Sequence, residues 1–143
     1  MILILLHACA TFLLTGLIWV IQLVHYPMFQ FLDSQTYSRA MAFHQQRISI
    51  IVVPLMLFEL LSAGYLALIQ WSSLAGFHSI NMALLMIIWV HTFGLMVPFH
   101  RKISTQCNNA LLLKTVSHHW IRTAAWSIKS ILWGAILWHL LPI

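Results

Sequence analysis

Polar and apolar positions along the chain fall into long blocks and do not alternate. Met1 to Leu32 contains no Asp, Glu, Lys or Arg, and Leu60 to His100 contains none across 41 residues. A helix crosses the hydrocarbon core of a bilayer with about 20 apolar residues. The second block is therefore long enough for two spans and a turn, and Gln70–Ser79, with its Gly, Ser and Trp, supplies the turn. The pattern predicts four helices, at about 2–24, 48–69, 80–99 and 121–141. Pro27 and Pro98 fall at the ends of the first and third, where a missing N–H favours a break. Pro54 is expected to kink the second. Strands do not fit, because the runs are long and the bilayer tolerates only helices or closed barrels. No Lys or Arg precedes the first run, which favours a retained span over a signal peptide.

Composition narrows this further. Hydrophobic residues make up 62% of the 143 positions and charged residues 6%, with a mean hydropathy of +0.91. Soluble domains carry about 25% charged residues, so this chain has too little polar side chain to cover a water-facing globule. It is too apolar for a disordered segment, and two cysteines are too few for a disulfide-stapled secreted domain. The expected fold is one all-α domain, an antiparallel four-helix transmembrane bundle in a lipid bilayer.

Charge gives the orientation. Arg39, Arg47, Arg101, Lys102, Lys114 and Arg122 lie in or beside the first and third loops, and neither tail carries a charged side chain. The positive-inside rule makes those loops cytoplasmic and puts both termini outside. Scattered over two loops, the basic residues do not form a nucleic-acid footprint. The same topology separates Cys9 from Cys107, so a disulfide is not expected.

A weak repeat relates the halves. Trp19-Val20 and Pro27 in the first helix match Trp89-Val90 and Pro98 in the third, and each break is followed by His-x-x-Arg, at His44–Arg47 and His119–Arg122. Two such hairpins would be related by an axis along the membrane normal.

Nine histidines are unusual in so short a chain, and five of them, His25, His44, His100, His118 and His119, fall at the basic helix ends. Converging imidazoles can hold zinc or non-haem iron; the alternative is interfacial anchoring by half-polar rings. The expected ligands are His25, His44, His100 and His119. His91 lies well inside a span and is the candidate for a cofactor such as haem b, although no other helix offers a His at its depth. Glu59 and Lys129 are ionisable groups inside spans, which marks a site by default. Counted along the helices, Glu59 lies roughly 18 Å beyond Arg47 and Lys129 roughly 10 Å beyond Arg122. Glu59 is the expected acid/base or proton relay, with Arg47 and Arg122 as a clamp for an anionic group. Trp19, Trp89, Trp120, Trp126, Trp133 and Trp138 are expected mostly as lipid-facing or interfacial packing. The chain contains no Gly-rich phosphate loop, no Ser-His-Asp order and no zincin motif.

His25-Tyr26-Pro27-Met28-Phe29, His44-x-x-Arg47, Pro54 with Glu59, Val97-Pro98-Phe99-His100, and His119-Trp120-Ile121-Arg122-Thr123 with Trp126 together form a pattern. It resembles a family of small bacterial four-helix integral membrane proteins to which no activity is assigned. The resemblance implies the bacterial inner (plasma) membrane. The adjacent His118-His119 pair is also similar to the histidine sites of membrane desaturases, but their His-x-x-x-His boxes are absent. The expected function is a membrane metalloprotein with a cytoplasm-facing His site, acting by redox or hydrolytic chemistry on a lipid-soluble substrate. The alternatives are a non-catalytic subunit of a larger membrane complex, a homo-oligomer, or a small haem-binding or proton-conducting protein.

Overall fold

The computed structural model describes residues 1–105 and 109–140, leaving aside the side chains of 70–74, 104, 105 and 109. The described chain is helical almost throughout. Four helices are numbered here as α1 (Ile2–Phe29), α2 (Ser34–Ile69), α3 (Ala75–Ile103) and α4 (Asn109–Leu140). The first three are long and apolar enough to cross a membrane. In α4 the apolar sequence is interrupted by Lys114, Arg122 and Lys129. Cys107 lies outside the described residues, and Cys9 is an exposed free thiol on α1.

The expected turn at Gln70–Ser79 is wound as helix, since the helical winding continues from Ser34 to His91, yet the chain reverses between α2 and α3. Met56 and Ile88 belong to one buried cluster with Leu14, Ile18, Ala125 and Trp126. A straight helix would hold positions 56 and 88 about 48 Å apart. A second cluster, nearer the basic end, joins Ile21, Tyr26, Phe29, Tyr37, Met41, Ile103 and Leu112. The third, at the opposite end, joins Ile4, Ala8, Leu66 and Trp133, with Phe77 packed against it. Every cluster draws on all four helices, α3 entering the third through Phe77.

The helices outrun their expected bounds at the basic end. α2 starts at Ser34 and not near 48, and α4 starts at Asn109 and not near 121. The added turns are amphipathic: Arg39, Arg47 and Lys114 are exposed while Tyr37, Met41 and Leu112 are buried. Hydropathy ends where such charges begin, but a helix with one apolar face continues. Asp33 starts α2 as its N-cap, accepting from the Gln35 and Thr36 amides at 2.9 and 3.0 Å and from the Thr36 hydroxyl at 2.8 Å. The Thr36 bonds hold the Asp33 carboxyl below the usual carboxylate range. A depressed folded-state value contributes stability above the ordinary carboxylate pKa, and that contribution disappears as pH falls through the depressed value. Asp33→Ala should lower the melting temperature in detergent at pH 7, and the gap from the parent should close in strong acid. An equal gap at both pH values would refute the capping role.

Neither Pro27 nor Pro98 breaks its helix. Ile21–His25 and Thr92–Met96 are wound as π turns, each ending two residues before its proline. A proline ring would collide with the carbonyl four residues back, and that residue (Leu23 or Gly94) lies inside the wider turn, which displaces it. The shared offset is a further likeness between the two halves.

Much of the exterior is apolar, and three of the nine charged side chains, Glu59, Arg122 and Lys129, lie inside. Leu68 is 84% exposed, and Ile2, Leu61, Val90, Ile131 and Trp138 are exposed too. His7, Glu59, His119, Arg122 and Lys129 are buried. This inverts the arrangement of a water-soluble protein. Trp126 and Trp133 are also buried, a correction to their expected lipid-facing placement. Their indole N–H groups donate to Glu59 and Asn81, both at 3.2 Å.

Candidate functional site

The basic end of the helices encloses a cavity of about 290 Å³. Tyr26 of α1, His44, Gln45 and Ser49 of α2, Thr92, His100 and Arg101 of α3, and His119 and Arg122 of α4 form its polar walls, with Ser49 and Arg101 exposed at the rim. Val52, Val53 and Met56 of α2 with Phe93 and Met96 of α3 form an apolar side. Val53 and Phe93 are themselves exposed, so the cavity opens between α2 and α3 onto the apolar exterior.

Hydrogen bonds orient its rings. The Tyr26 hydroxyl lies 2.7 Å from His100 Nε2, and Gln45 Nε2 donates to the His100 carbonyl at 3.0 Å. His119 Nδ1 lies 2.6 Å from Gln22 Oε1. An amide oxygen only accepts, so Nδ1 carries the proton, and the neutral ring keeps its lone pair on Nε2. Gln22 is held in turn, its amide nitrogen donating to the Val116 carbonyl at 3.4 Å.

The four expected metal ligands do not share one point. His44, His100 and His119 line the cavity. His25 lines a neighbouring groove of about 370 Å³ with Phe43, His44 and Arg47, and its ring meets His44 edge-on at 4.8 Å. The Tyr26 ring stands 4.8 Å from His119 and 6.2 Å from His100. Among the described residues no group of three or more His, Cys, Asp or Glu is placed to hold a metal ion. The physical reason is the depth of the histidines. His44 and His119 lie some three turns inside α2 and α4 and not at helix ends, His25 pairs with His44 alone, and the Tyr26 ring packs beside both His100 and His119. His91 lines neither space. It neighbours His118 of α4 at 6.1 Å between ring centroids, a proximity hidden while α4 was expected to begin at 121.

The two arginines separate. Arg47 is exposed, its guanidinium 5.3 Å from the Phe43 ring. Arg122 is 7% exposed, lies on the cavity wall and stacks on Trp126 at 5.2 Å. It makes no hydrogen bond or ion pair among the described residues, and its Nε is buried without a partner. The chain has only two acidic side chains. Asp33 caps α2, and Glu59 is taken by Lys129.

Glu59 and Lys129 meet in the middle of the molecule, 2.9 Å apart with both side chains fully buried. Thr11 donates to Glu59 Oε1 at 2.8 Å and Trp126 to Oε2 at 3.2 Å. Trp126 thus joins this pair to Arg122, one face under the guanidinium and its N–H on the carboxylate. Further along, His7 Nδ1 lies 2.6 Å from Ser62 Oγ. Tyr26, Gln22, Thr11 and Ser62 escape a reading based on charge and metal-ligand types. A signal existed for Gln22, the only amide side chain before Gln30 in a charge-free run.

No protein-family model matches the chain, nor does any curated protein or solved structure.

Proposed function

We propose that this protein is an antiparallel four-helix bundle of the bacterial inner membrane, with its basic end cytoplasmic, that binds a lipid-soluble substrate in the cavity between α2 and α3. The shape of the cavity carries this reading: a floor of Tyr26, His100, His119 and Arg122, and an apolar mouth of Val53 and Phe93. Ligand sites are typically apolar enclosures with a few converging polar groups. A mouth facing the apolar exterior admits a molecule dissolved in the bilayer. His100 and Tyr26, 2.7 Å apart, are within proton-transfer distance and supply general acid–base chemistry to a bound headgroup.

The chemistry is hydrolytic if the imidazoles act alone, and redox if they hold non-haem iron. One observation favours the metal as a second reading. His119 is fixed through Nδ1 by Gln22 and His100 through Nε2 by Tyr26, the outer bonds that orient metal-ligating imidazoles. Binding would draw His44, His100 and His119 together and would leave His25 outside. Glu59, closed by three partners, is a support for Arg122 in this reading and does not act on the substrate.

The test is extraction of lipid-soluble compounds from protein purified in mild detergent, with elemental analysis of the same sample. A copurifying compound should fall by about tenfold or more in Val53→Trp, which fills the mouth with a bulky ring. Equal recovery from parent and variant removes the cavity reading. Stoichiometric iron or zinc, lost in His44→Ala, would put the metal reading first. Copurifying membrane subunits without metal or compound would point to an accessory subunit.

A further inference from the structure

We infer that the occupant of the cavity is an amphiphile carrying a single negative charge, a long-chain carboxylate being the simplest case. This rests on the reading of the cavity as a lipid-soluble substrate site and adds the charge of the headgroup. The inference comes from a charge inventory. Of the Asp, Glu, Lys and Arg side chains three are buried: Glu59, Lys129 and Arg122. The first two neutralise each other at 2.9 Å, and the guanidinium of Arg122 cannot shed its proton. One positive charge remains inside, with no carboxylate left in the sequence to meet it. An isolated buried charge is strongly unfavourable unless something pairs with it. A cavity bordering that charge offers the partner a place.

The surrounding groups fit one anionic headgroup. The Tyr26 hydroxyl, the Gln45 amide and the imidazoles of His44, His100 and His119 offer hydrogen bonds without adding charge when the rings are neutral, while Arg101, which also lines the cavity, is exposed and needs no partner inside. Arg122 presents a planar fork suited to two oxygens of a carboxylate. The Trp126 ring covers one face of the guanidinium at 5.2 Å, and Arg122 lines the cavity. The alkyl chain would leave past Val53 and Phe93 into the bilayer. Arg47 is not part of this site, being exposed on the outer face of α2.

The experiment uses the full chain in nanodiscs of neutral phosphatidylcholine, with radiolabelled oleate bound in competition with other probes. Oleate should bind about tenfold or more tightly than oleyl alcohol, the gain of a charge-assisted hydrogen bond. Arg122→Gln should erase that ratio, Arg122→Lys should keep part of it, and Arg47→Gln should leave it unchanged. Should Arg122→Gln fail to fold, the ratio in the parent and in Arg122→Lys still decides. Equal affinity for oleate and oleyl alcohol would overturn the charge inference and leave the cavity reading standing. Acetate or inorganic phosphate competing as well as oleate would make the ligand a water-borne anion and overturn the amphiphile. Oleyl phosphate binding far more tightly than oleate would overturn the single charge. No binding of either long-chain probe, unchanged by Val53→Trp, would remove the inference and the cavity reading together.

Discussion

Lys129→Met should destabilise the protein by about 3–5 kcal/mol, the usual effect of removing one partner of a buried ion pair. The geometry explains why so much is at stake. Glu59 and Lys129 are both fully buried and 2.9 Å apart, so loss of the ammonium leaves a carboxylate with only Thr11 and Trp126 as donors. Glu59→Gln should have an effect of the same sign, since it strands the ammonium. The double variant Glu59→Leu/Lys129→Met should recover most of the loss, because an apolar replacement of both partners removes the desolvation of both charges. A double-mutant cycle of thermal unfolding in detergent would measure the coupling. Additive losses would show that the two residues do not act as a pair. If Glu59 also supports Arg122 through Trp126, the double variant should be stable and yet bind oleate more weakly.

Leu61→Arg should lower membrane insertion of α2 by about 2.5–3.5 kcal/mol, the penalty for Arg at the centre of a spanning helix. Leu61 is 72% exposed and two residues from Glu59, well inside the apolar part of α2 that runs from Ile48 to Ile69. Were that exterior wetted by water, a charge there would shift stability by no more than about 0.5 kcal/mol. The control is Phe31→Arg, 87% exposed in the turn between α1 and α2, where a charge should be harmless. Glycosylation mapping of the inserted fraction in microsomes would report both values. Equal fractions for the two variants would place Leu61 in water and remove the membrane reading.

Helix number and class were legible in the sequence because they follow from the length and apolarity of the runs, which need no tertiary information. Helix ends were less so. Arg39, Arg47 and Lys114 look like loop residues in a hydropathy profile, and only the burial of Tyr37, Met41 and Leu112 on the opposite faces shows that the helices continue. The site was legible as a set of residue types at one level, and His44, His100, His119 and Arg122 do line one cavity. What a count of histidines could not give was the rotation of each ring about its helix, which puts Tyr26 against His119 and sends His25 to the neighbouring groove. The Glu59–Lys129 pair was visible as two ionisable anomalies. Their meeting depended on the relative shift of α2 and α4, which sequence distance from an arginine measures poorly.

The wide turns at Ile21–His25 and Thr92–Met96 bear on how this chain should be compared with others. Each holds about one residue more than an α-helical turn would, so everything beyond it is carried round the axis by roughly 100°. A helical wheel drawn from residue 1 or residue 75 therefore misplaces Tyr26 and His100 by about one residue. Deleting a single residue inside either turn would restore the regular winding and leave the side chains beyond it facing as they do now. A related chain one residue shorter at either place is therefore expected to keep the same walls, with the residues beyond the turn one number lower.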